Sequence, residues 1–273
     1  MTTAEAIRVS PGWLDLRERA DAAARSHDLV RHLRRLTPGG LLVVHDLACG
    51  SGSMGRWLAP LLPGPQQWIL HDLDPDLLAL AEAEVPGPAA DGADVTVETR
   101  LSDVTRLDRD ELAGASLVTA SALLDLLTAD ELAGLMRACA GAGCPVLLTL
   151  SVTGRVELLP ADPLDARVAE SFDEHQRRAT PRGRLLGPDA VKAAAAGFRR
   201  LGAEVVIRPS PWRLGATECD LAAEWLTGWV DAACEQEPAL AASAELYQRR
   251  RLREAAAGTL AVTVGHADLL VLP

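Results

Sequence analysis

Residues 46–57 read DLACGSGSMGRW, and this stretch decides the fold. It follows LLVVHDLA, an apolar run of strand length, and leads into MGRWLAPLL, which reads as a short helix. Strand, glycine-rich turn and helix open a nucleotide-binding α/β unit. Within the turn, Gly50-Ser51-Gly52-Ser53-Met54-Gly55 matches G-x-G-x-x-G literally, the pattern of dinucleotide-binding loops. A pyrophosphate there needs exposed N–H groups and no nearby negative charge. Asp46, four residues before the first of these glycines, is out of place for such a ligand.

Outward from this stretch the chain alternates. QWILHDLD (67–74) reads as a second strand, and PDLLALAEAEV (75–85) as a helix with Pro75 at its first position, where a missing N–H costs nothing. VTVETRLSD (95–103) is a third strand and ASLVTASALLDLL (115–127) contains a fourth. ADELAGLMRACAGAG (129–143) is a helix with a glycine exit, and PVLLTLSV (145–152) a fifth strand. A polar stretch, 153–164, then precedes a helix over DARVAESFDEHQRRA (165–179). GPDAVKAAAAGFRRLG (187–202) is helical, AEVVIRPSPWRL (203–214) is a sixth strand, and a helical block spans about 217–257. TLAVTVGHADLLVLP (259–273) closes the chain as a seventh strand, or as two broken at Gly265. On the N-terminal side the apolar spacing predicts helix over 13–36, stopped by Pro38-Gly39-Gly40. This rhythm predicts an α/β fold with a mostly parallel sheet and right-handed crossovers.

The chain has 273 residues, 48% of them apolar, enough for one large core. A net charge of −11 argues against a nucleic-acid partner. The basic runs at 31–35 and 249–251 read as solvated helix faces. No segment has the apolar length of a membrane helix, and the N-terminal residues lack an apolar signal core, so a cytoplasmic protein is expected. Cys49, Cys139, Cys144, Cys219 and Cys234 form no CxxC pair, and no clustered ligand set predicts a metal.

The remaining question is which nucleotide the loop holds. S-adenosylmethionine has no phosphate, and it carries a sulfonium, an α-amino group and a ribose diol. An acid at the end of the first strand then helps, and Asp46 fits that demand. Asp72, about 20 residues past the glycines, stands where a ribose-binding acid is expected for either ligand, whereas Asp74 before Pro75 reads as a helix cap. Asp103, in Ser102-Asp103 at the end of the third strand, can accept from an adenine amino group or serve as a turn aspartate.

These pieces together resemble a class I S-adenosylmethionine-dependent methyltransferase. The matching segments are DLACGSG (46–52), ILHDLDPDLL (69–78), LSD (101–103) and VTASALLDLLTADEL (118–132), covering about residues 41–150. The resemblance implies a Rossmann-like, seven-stranded, mostly parallel sheet flanked by helices, its last strand antiparallel, with N-terminal helices and a helical insertion before that strand. It implies a lid over 1–36, a cofactor-binding core over 37–152, and a remainder over 153–273 whose inserted helices (153–180, 215–257) form a substrate cap within the same domain. It places Asp46, Gly50 and Gly52 on the cofactor, Asp72 on the ribose, Asp103 near adenine, and Ser121 beside Ala122 at the methionine end or the adenine, with Ala48, Leu73 and Val104 as further cofactor-binding residues. Arg25, with Arg17 as a rival, would reach the cofactor carboxylate. The family loop commonly has glycine where Ala48 stands.

Methyl transfer chiefly requires alignment of the acceptor and exclusion of water. A base is needed only if the acceptor loses a proton, and Asp125 and His175 are the candidates. His71 reads as structural, and His45 and His266 carry no assigned role. Trp225 and Trp229, at i and i+4, either anchor the inserted helices or wall an acceptor pocket. The expected partner is a small-molecule methyl acceptor, and a homodimer surface is an open alternative for the inserted helices. Two other readings stand beside this one: a nucleotide-binding protein without transfer activity, favoured by Ala48, and an NAD(P)-dependent reductase, favoured by GSGSMG.

Overall fold

Two helices, α1 (Pro11–Ala24) and α2 (His27–Leu36), precede β1 (Leu42–Leu47), α3 (Ser53–Leu58), β2 (Gln66–Asp72), α4 (Pro75–Glu84) and β3 (Val95–Leu101). Then come β4 (Leu117–Ser121), α5 (Ala129–Ala142), β5 (Val146–Leu159) and α6 (Asp165–Gln176). A small hairpin, β6 (Ala179–Thr180) and β7 (Gly183–Arg184), leads to α7 (Ala190–Arg200), β8 (Glu204–Pro209) and β9 (Trp212–Leu214). The chain ends with α8 (Cys219–Gln236), α9 (Ala241–Ala256) and β10 (Ala261–Leu272). The structure is a computed structural model that describes residues 9–36, 39–85 and 87–273. Residues 1–8 of the expected lid, and Pro38 of the expected helix stop, lie outside the described residues.

The main sheet runs β3-β2-β1-β4-β5-β10-β8, with β9 paired to β10. β1 to β5 are parallel, and β10 runs antiparallel to both β5 and β8. This is the seven-stranded order with a reversed last strand that the sequence resemblance implies. The strand order turns back at β1, between β2 and β4, and open α/β sheets bind ligands at that point, beyond the strands' carboxyl ends. Register aligns those ends: Leu47 lies opposite both His71 and Ala120, and Asp72 lies opposite Leu101. Asp46, Asp72 and Ser121 thus emerge along one rim.

Local chemistry explains the elements. β1 is buried almost throughout, as a central parallel strand must be, whereas edge strand β3 alternates half-buried Val95 and Val97 with exposed Thr96 and Glu98. Asp74 caps α4 by accepting from Asp76 N at 2.9 Å, the cap expected before Pro75. A capping box between Thr128 and Glu131 opens α5, and Gly143 at φ 68° ends it. One apolar core lies between the sheet and α5 and α7, a second between the sheet and α2, α3 and α4. A third joins α1, α6, α8 and α9 to the extended arm of β5, β9 and β10.

Two expectations are corrected and two are made definite. The helix over 13–36 is two helices: Arg25 leaves helical geometry at ψ 140°, and Ser26 N donates to Asp268 Oδ2 at 2.7 Å. Residues 153–159, expected to be a polar connection, continue β5, because Val156 and Leu158 alternate inward and pair with β10. The sixth strand is two, β8 and β9, split at Ser210-Pro211. There, Ser210 Oγ donates to Asp268 Oδ1 at 2.6 Å. Of the two readings of the last strand the single one applies: β10 runs through Gly265, with register shifts between Val264 and His266 and between Ala267 and Leu269, and a Cβ on Gly265 would lie 2.6 Å from Thr153 Oγ1. Among the described residues no helix is long and apolar enough to cross a membrane.

Asp268, fully buried on β10, therefore accepts from three separate segments: Leu150 N on β5 at 2.8 Å, Ser210 Oγ and Ser26 N. Asp268→Ala strands three donors, two of them buried, and at ~1–3 kcal/mol each a loss of at least roughly 3 kcal/mol is expected in urea unfolding. Asp268→Asn keeps an acceptor for Leu150 and Ser210 but turns an amide toward Ser26 N, so its loss is expected to be smaller.

Candidate functional site

A cleft with about 370 Å³ of empty space, part of it open to solvent, lies at the carboxyl ends of β1 and β4 under α1. Leu14, Arg17, Asp21, Asp46, Gly50 and Ser121 are among its lining residues. The glycine loop forms its floor. Cys49 N donates to His71 O at 2.9 Å, and Gly52, at φ 86°, starts α3 without a side-chain cap. A Cβ on Gly52 would sit 2.4 Å from Val85 Cγ2, so only glycine lets α3 approach the end of α4. A Cβ on Gly50 would lie 3.4 Å from Leu14 Cδ1, which shows how closely α1 covers the loop. Glu18 on α1 accepts from Arg56 Nε at 2.7 Å, and Arg56 also reaches Ser51 O, so α1 and the loop are tied by charge.

Asp46 is fully buried at the end of β1. Its Oδ1 accepts from Thr119 Oγ1 at 2.7 Å, while Oδ2 has no partner. Burial raises the carboxyl to about 7, against the Thr119 hydrogen bond and the charge of Arg25. Arg25, 2% exposed, donates to Ser53 O at 3.3 Å and, from Nη2, to Ser53 Oγ and Ser121 Oγ at 3.1 Å. Its guanidinium lies 5.4 Å from the Trp57 ring centroid, and its Nε has no partner. Burial lowers its pKa, and Asp21 and Asp46 counter part of that. A buried cation and a buried acid thus line one end of the cleft, each with a polar atom unspent.

Of the other expected cofactor residues, Asp72 braces the loop: Oδ2 accepts from Gly50 N at 2.8 Å and Oδ1 from Asp74 N at 3.0 Å. A loop amide that a pyrophosphate would need is therefore already engaged. Ala48 takes φ 53°, so the position where the family has glycine is left-handed here too, with a methyl group on it. Asp103 caps the short turn 104–106, accepting from Thr105 N at 3.0 Å and Thr105 Oγ1 at 2.6 Å. Val104 is buried behind it, and Leu73 is exposed at the rim. Arg17 does not face the cleft as a free cation: it forms a two-point pair with Asp21, whose Oδ1 also accepts from Trp212 Nε1 at 2.9 Å.

The two candidate bases separate. Asp125 sits on the turn Leu124–Leu126, one turn beyond Ala122 of the cleft. Burial pushes its carboxyl up to about 6, and the guanidinium groups of Arg17 and Arg178 limit the rise. His175 is not brought to the cleft: it lies in the seam between α6 and α8, its Nε2 3.2 Å from Glu235 Oε2. The long outward face of α6 packs on α8, which the sequence alone did not reveal. His45 and His71 form a buried pair, Nδ1 to Nε2 at 3.0 Å, that ends on Ser102 Oγ. Burial lowers both to about 4, so both are neutral near pH 7. Trp229 is 1% exposed, stacked on Trp225 at 5.1 Å within the third core and away from the cleft, where both anchor α8.

Sequence reasoning missed Ser53, Thr119, Thr149 and Asp21. Thr119 and Ser121 do carry a signal, polar residues two apart in a strand otherwise apolar, which points them to one face. Asp21 looks like any helix-surface acid.

No protein-family model and no curated protein matches the chain. Solved structures do. The chain is similar to the magnesium protoporphyrin IX methyltransferase ChlM of Synechocystis PCC 6803, with bound SAH, at 13% identity and TM-score 0.48 over 98% of this chain and 90% of that one. It is similar to a SAM-dependent methyltransferase from Thiobacillus denitrificans in complex with S-adenosyl-L-homocysteine at 16% identity and TM-score 0.46, covering 98% and 100%. The cyclopropane synthase MmaA2 of Mycobacterium tuberculosis gives 16% and 0.46, covering 89% and 82%. Likeness at this level carries no argument about activity, and the fold rests on the strand order itself.

Two of the loop's three left-handed positions, Gly52 and Ala48, respond oppositely to substitution. Gly52→Ala is expected to cost roughly 2–4 kcal/mol from strain and the clash with Val85. Ala48→Gly is expected to gain about 0.5–1 kcal/mol, the strain relieved less the added chain entropy of glycine. Urea unfolding of the two variants measures both.

Proposed function

We propose that the protein is an S-adenosylmethionine-dependent methyltransferase acting on a small molecule. The observation that carries this reading is the pair of unspent groups in the cleft. Asp46 offers a carboxylate oxygen without a partner, and Arg25 a guanidinium N–H without one. An α-amino acid end, ammonium and carboxylate together, is complementary to that pair in charge. A pyrophosphate is not: Asp46 opposes it and Asp72 already occupies Gly50 N. The family resemblance of the loop and the strand order points the same way.

When bound, the cofactor supplies a methyl group already activated on a sulfonium. The protein's own residues then hold and orient. Asp46 and Arg25 grip the amino-acid end, with Ser53 and Ser121 fixing the guanidinium plane. Asp72 and Asp103 stand at the rim for the ribose and the adenine. α1 covers the loop and excludes water, which strengthens these interactions. Asp125 receives the proton if the acceptor loses one. A net charge of −11 and a cleft roofed by a helix favour a small acceptor over a polyanion.

Calorimetric titration with S-adenosylmethionine, S-adenosylhomocysteine and NADPH tests the reading. Both sulfur ligands are expected to bind and NADPH is not; binding of NADPH alone would overturn the assignment. Arg25→Met should weaken S-adenosylhomocysteine binding roughly 10–100-fold, the worth of a charge-assisted pair. The pH dependence has a definite sign. Because the folded pKa of Asp46 is raised to about 7, the free protein holds this proton below pH 7 and loses stability as pH rises from about 4 through 7. A cationic ligand needs the ionised form, so affinity should rise with pH up to about 7 and then level off. Asp46→Asn should weaken binding and flatten that profile; unchanged affinity in this variant would refute the role given to Asp46.

A further inference from the structure

Among the described residues outside the fully exposed surface, Arg25 and Arg178 are the arginines with no carboxylate within 4 Å. Arg178 is half-buried at the end of α6, and its one side-chain bond runs from Nη1 to His175 O at 3.2 Å. The segment carrying it is docked on the turn that holds Asp125. Leu186 N donates to Leu127 O at 2.8 Å, Leu185 bridges to Thr128, and Arg182 reaches Leu126 O at 3.4 Å. Leu185 N in turn holds Arg178 O at 3.2 Å. Asp125 is also half-buried, and its carboxylate accepts from its own backbone N–H but forms no ion pair. An acid and a guanidinium close enough to feel each other's charge thus stand without an ion pair on two elements fixed together, the acid three residues from Ala122 of the cleft. An arrangement built only for stability would close such a pair, because half-buried charges left apart forgo their attraction.

We propose that this gap is the acceptor site and that the acceptor is a small carboxylate with a nearby O–H or N–H, its carboxylate on Arg178 and its reacting group against Asp125. The proposal rests on the methyltransferase reading and names the substrate class for it. The balance is simple: the acceptor's lone pair forms the bond to the methyl carbon, the carbon–sulfur bond breaks with its pair staying on sulfur, and the acceptor's proton passes to the Asp125 carboxylate. Arg178, fixed by its donation to His175 O, presents its remaining N–H groups as a fork that matches a carboxylate.

The test is ligand-observed NMR titration of the whole protein, free and loaded with S-adenosylhomocysteine. The probes are salicylate, anthranilate, lactate and glycine, each against its methyl ester. At least one acid is expected to bind, with its ester at least tenfold weaker. Arg178→Met should weaken the acid at least tenfold and Arg178→Lys less, while S-adenosylhomocysteine affinity stays at the wild-type value in both. For an acid that is methylated, Arg178→Met should raise KM more than it lowers kcat, and Asp125→Asn should lower kcat while leaving acid binding within a few-fold. The inference is overturned if no acid binds the wild type, if esters bind as tightly as acids, or if Arg178→Met binds the acid unchanged. Failure of S-adenosylhomocysteine to bind would sink the methyltransferase reading separately, and the titrations of the free protein would still decide whether Arg178 holds a carboxylate.

Discussion

A carboxylate without water holds this molecule's working parts together. Asp268 sits at 0% exposure, where burial raises its pKa and an unpaired charge would be intolerable. Two N–H groups and one hydroxyl satisfy it, and they come from the joint between α1 and α2, from β5, and from the joint between β8 and β9. Each joint departs from regular structure at the point where Asp268 takes hold. The consequence reaches the cleft: with Ser26 N fixed, Arg25 must leave α1, and its side chain enters between Ser53 and Ser121. A single acid on the last strand thereby positions the cation at the far end of the chain.

The cleft runs against the rule that buried polar groups are paired. Asp46 Oδ2 and Arg25 Nε both lack partners, though each group's other polar atoms are engaged. An unpaired buried donor or acceptor costs about 1–3 kcal/mol, so the free protein carries the two at the expense of its own stability. The surrounding charge limits that expense, since Arg25 lowers the pKa of Asp46 and Asp46 raises that of Arg25. The two share one field without closing into a pair. Closing it would be more stable and would leave no room for a ligand with its own two charges.

The sequence made the core plain where each strand ended in a marked turn. Asp46, the glycines and Asp72 could be placed because strand, loop and strand are short and the residues of the rim follow directly from the ends. The N-terminal helical region was legible as apolar periodicity, but its break was not, because the cause lies more than 240 residues away in Asp268. The extension of β5 was hidden by composition. TGRVELL looks polar, yet alternation with period two was there in Val156 and Leu158, and only the pairing with β10 shows which reading applies. His175 was misplaced for a similar reason: a helix has two polar sides in sequence, and the packing of α8 decides which one is open.

Backbone strain gathers at the same rim. Among the described residues, three without glycine's freedom take left-handed φ: Ala48 at 53°, Ala122 at 52° and Leu150 at 56°. They stand where β1 and β4 end and where β5 continues past the sheet, three adjacent strands in the sheet order. Each costs about 1–2 kcal/mol in that conformation. Each is also held by a short backbone donor. Cys49 N, next to Ala48, meets His71 O at 2.9 Å; Ala122 N meets Thr149 O at 2.9 Å; Leu150 N meets Asp268 Oδ1 at 2.8 Å. Strain persists only where the surroundings over-determine it. Here the surroundings turn the chain sharply away from two strands and twist the third, which opens the crevice that Arg25, Asp46 and Ser121 line. The same hydrogen bonds that keep the bends also keep these three side chains from relaxing into one another, so the geometry of the cleft is a property of the backbone and precedes any ligand.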